Sequence, residues 1–504
     1  MVVLSGGVRV FEAYAEPYRR GDRPLVYSAS KTFTATAVGL AIGEGRFGLD
    51  DRIVDLLEPA APEEAATELA SRSVPEEVGA ELVSPTVPEG VGAELVSPAV
   101  PEEAGTELVS PTVPEEADAE PAKRQPSRRA VDDRVAEITV HHLLSMSTGH
   151  TGDTIEAMME RPPEQWVEAF LAIRPQQPVG SCHVYNNGAS FLLGELVRRH
   201  TGEDLLDYLR PRVFEPLGID ATWDTDAAGR CLGWSGLHVD ARGLAAMGEL
   251  LRCDGVWQGR RLLPEGWVAR ATSKQIPTAE PDPEWNLGYG YQVWMNREGY
   301  RLDGAYGQFA FVLPGRDLVV AIQSAQSCTQ VLVDLLWEHL PAPAGPAAAN
   351  GPPASRRAVP EGLARVPVPS DSGLGAAWTH TGPVPLDASM VGDGEEVGRP
   401  ADLAEVRASR SGGELWLDLV VEGHWNQLGT AVGEWRRQSL HLGDAEVPVA
   451  LAAGADDAGD LHVRMVFTDT PHTLRLRLGA DGRAAQAWKV NPLQGPWLAS
   501  MRAH

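Results

Sequence analysis

The sequence predicts an α+β fold followed by a separate antiparallel β domain. Short strand-like segments stand near both ends of residues 1–340, with apolar helical runs between them. A stretch rich in Pro, Ala and Gly, 341–372, then reads as a linker. Beyond it, over 373–504, apolar residues recur at every second position, the pattern of strands with one wet face.

The elements follow in order. Val2-Val3-Leu4, a Ser5-Gly6-Gly7 turn and Val8 to Tyr14 read as a hairpin. The run after Ser28-Ala29-Ser30-Lys31 is uncharged and mostly apolar, which predicts a helix reaching about Glu44 and stopping at Gly45. Leu49-Asp50-Asp51-Arg52 opens a short helix toward Leu57. Pro62, Pro75, Pro88, Pro101 and Pro114 then recur every 13 residues, each followed by Glu. Pro, Gly and Glu at that density do not build a packed core, so 59–132 is expected to be a disordered insert. Helices are expected over Thr139 to Met146, 155–170, Asp204 to Val213, Val239 to Cys253 and Leu263 to Ala271, and a loop leads into another from Tyr185 to His200. Tyr289 to Met295, Phe309 to Leu313 and Leu318 to Ser324 read as strands, the last two joined by a Pro314-Gly315-Arg316-Asp317 turn. An amphipathic helix, Thr329 to Leu340, closes this part. In the β domain Leu415, Leu417, Leu419 and Val421 share one face, as do Leu474, Leu476 and Leu478, and Leu461, Val463, Met465 and Phe467. Six of the fourteen tryptophans fall there (Trp378, Trp416, Trp425, Trp435, Trp488, Trp497), and core packing is their expected role over glycan binding.

The chain has 504 residues and a net charge of −27. Residues 58–121 hold 16 acidic side chains against one basic, so much of that charge sits in the repeat. An acidic balance argues against a nucleic-acid partner, because phosphate binding needs a basic surface. Cys182, Cys231, Cys253 and Cys328 lack C-x-x-C spacing and are expected to be free, mostly buried thiols. No apolar run is long enough to span a membrane, and no signal-peptide pattern opens the chain. A cytoplasmic location is therefore the expectation, or secretion if the true start lies upstream.

Chemistry concentrates in three places. Ser28-Ala29-Ser30-Lys31 puts a lysine three residues after a serine, on one face of a helix, where the amine reaches the hydroxyl. A serine needs an adjacent base, and a buried lysine can be one once its pKa falls toward neutral. The helix mouth offers backbone N–H groups to an oxyanion. By itself the tetrapeptide is better described as a serine cap with a solvated lysine. Tyr185-Asn186-Asn187 supplies a tyrosine able to relay a proton, and Asn187 can orient Lys31 or hold a substrate carbonyl. The bland reading is a core tyrosine and a turn asparagine. Gly304-Ala305-Tyr306-Gly307-Gln308 opens a strand; its glycines permit close backbone approach to a ligand, and the Gln308 N–H would face it as an oxyanion donor. An ordinary Gly-rich turn is the other reading. No G-x-S-x-G or H-E-x-x-H occurs, and the adjoining His141 and His142 point to different faces, so no metal site is expected.

Together the three elements resemble those of the serine β-lactamase / penicillin-binding-protein superfamily of S-x-x-K hydrolases. Tyr27 to Ala37 is similar to its active-site helix, Leu49-Asp50-Asp51 to its post-helix signature, and Leu143 to His150 to its "LLTMxTGH" segment. Gly255-Val256-Trp257, Leu263 to Val268 and Gly288-Tyr289-Gly290-Tyr291 fit as well, most closely in the esterase and 6-aminohexanoate-dimer-hydrolase-like branch. The resemblance implies a β-lactamase/transpeptidase-like domain over 1–340: an antiparallel sheet flanked by helices, plus a helical subdomain. It implies Ser28 as nucleophile, Lys31 as base, Tyr185 as proton relay, and the backbone of Ser28 and Gln308 as oxyanion hole. Asn187, Gly307, Trp234 and His150 would border the substrate, with packing roles open for Trp234 and His150. The reaction expected is hydrolysis of a small ester or amide through an acyl-enzyme, without cofactor. The alternatives are acyl transfer and a non-hydrolytic penicillin-binding or sensor protein. At the place of Ala305 the β-lactamases carry a lysine that engages a substrate carboxylate, and this chain does not.

Overall fold

The computed structural model describes residues 1–57, 132–340, 377–381, 403–411, 414–431, 433–456, 458–493 and 498–501. The acidic repeat and the linker expected at 341–372 lie outside these residues, apart from Asp132.

Six strands form one antiparallel sheet: β1 (Val2–Ser5), β2 (Val8–Glu12), β3 (Trp294–Asn296), β4 (Gly299–Gly304), β5 (Gln308–Leu313) and β6 (Leu318–Ile322). Their order is β2-β1-β6-β5-β4-β3, so the N-terminal hairpin closes onto the C-terminal strands through Val2↔Ala321. Between these strand groups, and after the last strand, the chain supplies the helices. Helix α1 (Ser30–Gly43) buries twelve of its fourteen residues. A helix apolar all round must run through a core rather than over a surface. Helix α2 (Asn187–Thr201) packs beside it; helix α3 (Ala241–Arg252) covers one face of the sheet, and α4 (Thr329–His339) packs on Phe309, Phe311 and Val320 on the other. This is the β-lactamase/transpeptidase-like arrangement, with an additional C-terminal antiparallel β domain.

Three local expectations change. Residues 155–170 form two helices, Ile155–Met159 and Trp166–Ala172, because Pro162 and Pro163 cannot continue a helical ladder. Tyr289 to Met295 is extended only from Trp294. Before it Gln292 turns left-handed (φ 58°), and its side chain bonds Leu143 O, Leu144 O and the Ser190 hydroxyl. Strand β4 was hidden in the sequence because Gly299 and Gly304 bracket it, and glycine reads as a turn.

The C-terminal domain is two meanders: β7 (Ala377–Thr381), β8 (Leu403–Ser411), β9 (Glu414–Val421) and β10 (His424–Ala431), then β11 (Arg436–Leu442), β12 (Ala445–Ala455), β13 (Leu461–Phe467), β14 (Thr473–Leu478) and β15 (Ala484–Trp488). The alternating faces read from the sequence form its core, with Leu415, Leu417, Leu419, Val463, Met465, Leu474 and Leu476 buried. Trp488 is buried there too, but Trp416 is half-buried on the other face of β9 and Trp425 is exposed beneath Arg407. Of the four free cysteines only Cys231 is buried. Among the described residues no helix is long and apolar enough to cross a membrane.

Candidate active site

Ser28 sits in a single 3-10 turn, Tyr27–Ala29, that feeds directly into α1. Tyr27 takes a left-handed backbone (φ 48°), and the turn is pinned by Ser30, whose hydroxyl donates to Tyr27 O (2.5 Å) and accepts from Leu237 N (3.1 Å). The next helical turn delivers Lys31 to the serine.

Lys31 is 1% exposed. Its Nζ lies 3.2 Å from Ser28 Oγ, 2.6 Å from Asn187 Oδ1 and 2.7 Å from Trp234 O. Burial pulls its pKa down to about 7, against smaller opposing effects of Asp153 and Asp303. A neutral amine has two N–H bonds and one lone pair. Asn187 Oδ1 and Trp234 O only accept, so they take both N–H bonds and leave the lone pair for the Ser28 hydroxyl.

Helix α2 delivers the next groups. Asn186 is its N-cap, accepting from Ala189 N, and Asn187 is its first residue. Asp153 accepts from both Asn187 N and Asn187 Nδ2. Tyr185, just before the helix, bonds Ser28 through its side chain, stacks on Trp294 (5.9 Å, 14° between planes) and lies 4.7 Å beneath Lys31 Nζ. Burial raises its pKa strongly, so the phenol keeps its proton and can pass one on rather than act as a standing base.

Strand β4 abuts the Ser28 turn. A Cβ on Gly304 would fall 2.1 Å from Val26 O and 3.1 Å from Ala29 N, so only glycine fits. Asp303, next to it, is held by Arg301 Nε at 2.8 Å; burial raises its pKa while Arg301 opposes this.

The structure brings Ser28, Lys31, Tyr185, Asn187 and the Trp234 backbone together. The other expected residues have packing partners of their own. Gln308 is fully buried on β5 opposite Gly304, its side-chain amide donating to Ser324 O. Gly307, at φ 84°, has Ser324 and Leu332 where its Cβ would be. His150 is 1% exposed, packs on Phe170, and has both nitrogens occupied, one by Thr148 Oγ1 and one by Ile173 O. The Trp234 ring packs near Trp166 and Phe191, and its carbonyl is what reaches the site. Sequence reasoning missed Asp153 and Asp303. The only local signal for Asp153 was an acidic residue just ahead of a helix start. Among the described residues no three His, Cys, Asp or Glu side chains converge as metal ligands would.

A protein-family model, Beta-lactamase, matches residues 1–332. Among solved structures, a candidate 6-aminohexanoate-dimer hydrolase from Bacillus anthracis shows 19% identity over 68% of this chain and 79% of its own, with a TM-score of 0.45. SurE with D-Leu shows 18% identity over 95% and 93%, TM-score 0.45. A penicillin-binding protein from Bacillus halodurans shows 16% over 67% and 95%, TM-score 0.41. No curated protein matches the chain.

Proposed function

The chain belongs to the Beta-lactamase family, and from that premise we propose that it is a serine hydrolase cleaving an ester or amide of a small substrate through an acyl-enzyme on Ser28. The observation that carries the reading is Lys31: a buried amine with both N–H bonds committed to acceptors and its lone pair left for Ser28 Oγ.

The Ser28 proton passes to Lys31 as Oγ bonds the substrate carbonyl carbon. The oxyanion is received by the Ser28 N–H and by an N–H of the 304–308 turn, the segment that carries Gln308. A Cβ on Gly304 would run into Val26 O and Ala29 N, and this close packing of the two segments supports that role. Collapse breaks the bond to the leaving group, which takes the Tyr185 proton; the Lys31 ammonium restores it. Water then attacks the acyl-enzyme by the reverse path and releases the acid. Asn187 holds Lys31 rather than the substrate.

The strand edge also bears on substrate class. No lysine stands in 302–308, and Asp303 adds a carboxylate that Arg301 balances. A substrate without a carboxylate at that place suits this edge best.

The test is intact mass after mixing with a p-nitrophenyl ester, beside Ser28→Ala. A transient acyl adduct with nitrophenol release, lost in the variant, supports the reading. No adduct and equal rates overturn it.

A further inference from the structure

Tyr27 and Tyr306 are far apart in sequence, yet their rings meet edge to face at 5.6 Å. Both are non-glycine residues with left-handed backbone, at φ 48° and 62°. Such conformations persist only where the surroundings fix them. Tyr27 immediately precedes Ser28, and Tyr306 lies in the turn between β4 and β5.

Their backbones are held locally, Tyr27 O by the Ser30 hydroxyl and Tyr306 O by Ser324 and Gln326, while both side chains are held by the C-terminal β domain. His472, on the connection from β13 to β14, is fully buried and lies edge-on to both rings, at 5.9 Å from Tyr27 and 5.7 Å from Tyr306. Its Nδ1 is 3.0 Å from Val490 O, a carbonyl that only accepts, so Nδ1 carries the proton. Nε2 is then the acceptor, and the Tyr27 hydroxyl donates to it at 2.6 Å. The Tyr306 hydroxyl donates to Asn491 O, on the same side of the domain. Burial keeps His472 neutral by pulling its pKa down to about 4. Around this centre Leu25 N donates to Asp469 O, the Tyr18 hydroxyl donates to Thr470 O, and Arg437 holds Asp22 through two bonds of 2.7 Å.

We propose that His472 is a positioning residue of the hydrolytic site. By accepting from Tyr27 and packing on Tyr306 it keeps the nucleophile turn and the 304–308 turn in register. The β domain is thereby part of the catalytic frame and not a detachable binding module. The proposal rests on Ser28 being the nucleophile. It differs from plain domain adhesion in a testable way: the outer bonds, such as Arg437 to Asp22, hold the domains together without touching either turn.

The experiment uses the full chain and a p-nitrophenyl ester in stopped flow, reading the acylation burst, KM and the melting temperature. His472→Phe keeps a ring and loses the acceptor; Tyr27→Phe loses the donor from the other side. Each is expected to slow the burst about tenfold with KM within about twofold, as misplacement of reacting groups does. The double variant should be no slower than either single one, and His472→Gln, which keeps an acceptor, should recover part of the rate. A burst within twofold of wild type in either Phe variant overturns the proposal, as do losses that simply multiply. Should His472→Phe fail to fold, Tyr27→Phe decides alone. Ser28→Ala run alongside separates the two readings: a burst that survives in it removes the nucleophile assignment itself, whereas a lost burst there with unaffected Phe variants removes only the role of His472.

Discussion

Asp153 grips Asn187 at two points: Oδ1 accepts the backbone N–H at 2.8 Å and Oδ2 accepts the side-chain Nδ2 at 2.6 Å. An amide can flip by exchanging oxygen and nitrogen. This grip commits Nδ2 to the carboxylate and leaves Oδ1 as the only end that can face Lys31. Asp153 therefore sets the polarity of the Asn187–Lys31 contact without touching Lys31.

Replacing Asp153 by Asn is expected to slow acylation about tenfold, since the two amides can then pair in either sense and Lys31 loses a fixed acceptor. Asp153 also raises the Lys31 pKa. Its removal should move the acidic limb of the acylation profile to lower pH. A slower rate without that displacement would mean the carboxylate acts only through geometry.

The same group sets the wild-type profile. In the proposed mechanism Lys31 serves as a base only when neutral, and its pKa is lowered to about 7. The acylation rate should rise about tenfold per pH unit below that value and level off above it. Lys31→Arg cannot lose its proton near neutral pH and should cost about 10²–10⁴-fold on the plateau, with a smaller ratio at lower pH where the wild type is protonated too. A profile flat through neutrality would show that another group titrates.

Tyr185 is held protonated by burial. Its contribution should therefore depend on how much proton the leaving group needs. Tyr185→Phe is expected to slow an anilide about 10²-fold and a p-nitrophenyl ester much less, because nitrophenolate leaves without protonation. Steady-state rates on the matched pair check this, and equal losses would argue for a purely structural phenol.

Gly304→Ala would drive a methyl into Val26 O and Ala29 N, both backbone atoms that cannot swing aside. We expect about 1–3 kcal/mol of destabilisation and loss of most activity, read by thermal melting and by the ester assay. Gly152→Ala, at a position with open space and, like Gly304, no left-handed backbone, serves as a control for the loss of glycine itself.

What the sequence revealed of the site follows from range. Ser28 and Lys31 are three residues apart, and helical geometry converts that spacing into contact without any further information. Tyr185 and Asn187 were legible through their place ahead of a buried helix and through family likeness. Asp153 and Asp303 were not, because their meaning lies in partners distant along the chain, and an isolated acidic residue carries no period. His150 misled for a related reason: a histidine after a helix end resembles a cleft residue, and only the fold reveals Thr148 and Ile173 as its partners. The helix break at Pro162-Pro163 was visible in the residues, but β4 was not, since its bounding glycines imitate turns.

The Tyr27–His472 bond spans 445 residues of chain, whereas the Ser28–Lys31 pair spans three. Loops that long close late, after local helices have formed. The proposed nucleophile and base can therefore meet early in folding, while the proposed positioning contact to the Ser28 turn waits for the last strands of the molecule. Catalytic competence would then be acquired at the end of folding, and a nascent chain still lacking β14 would carry a paired serine and lysine inside an unfinished frame.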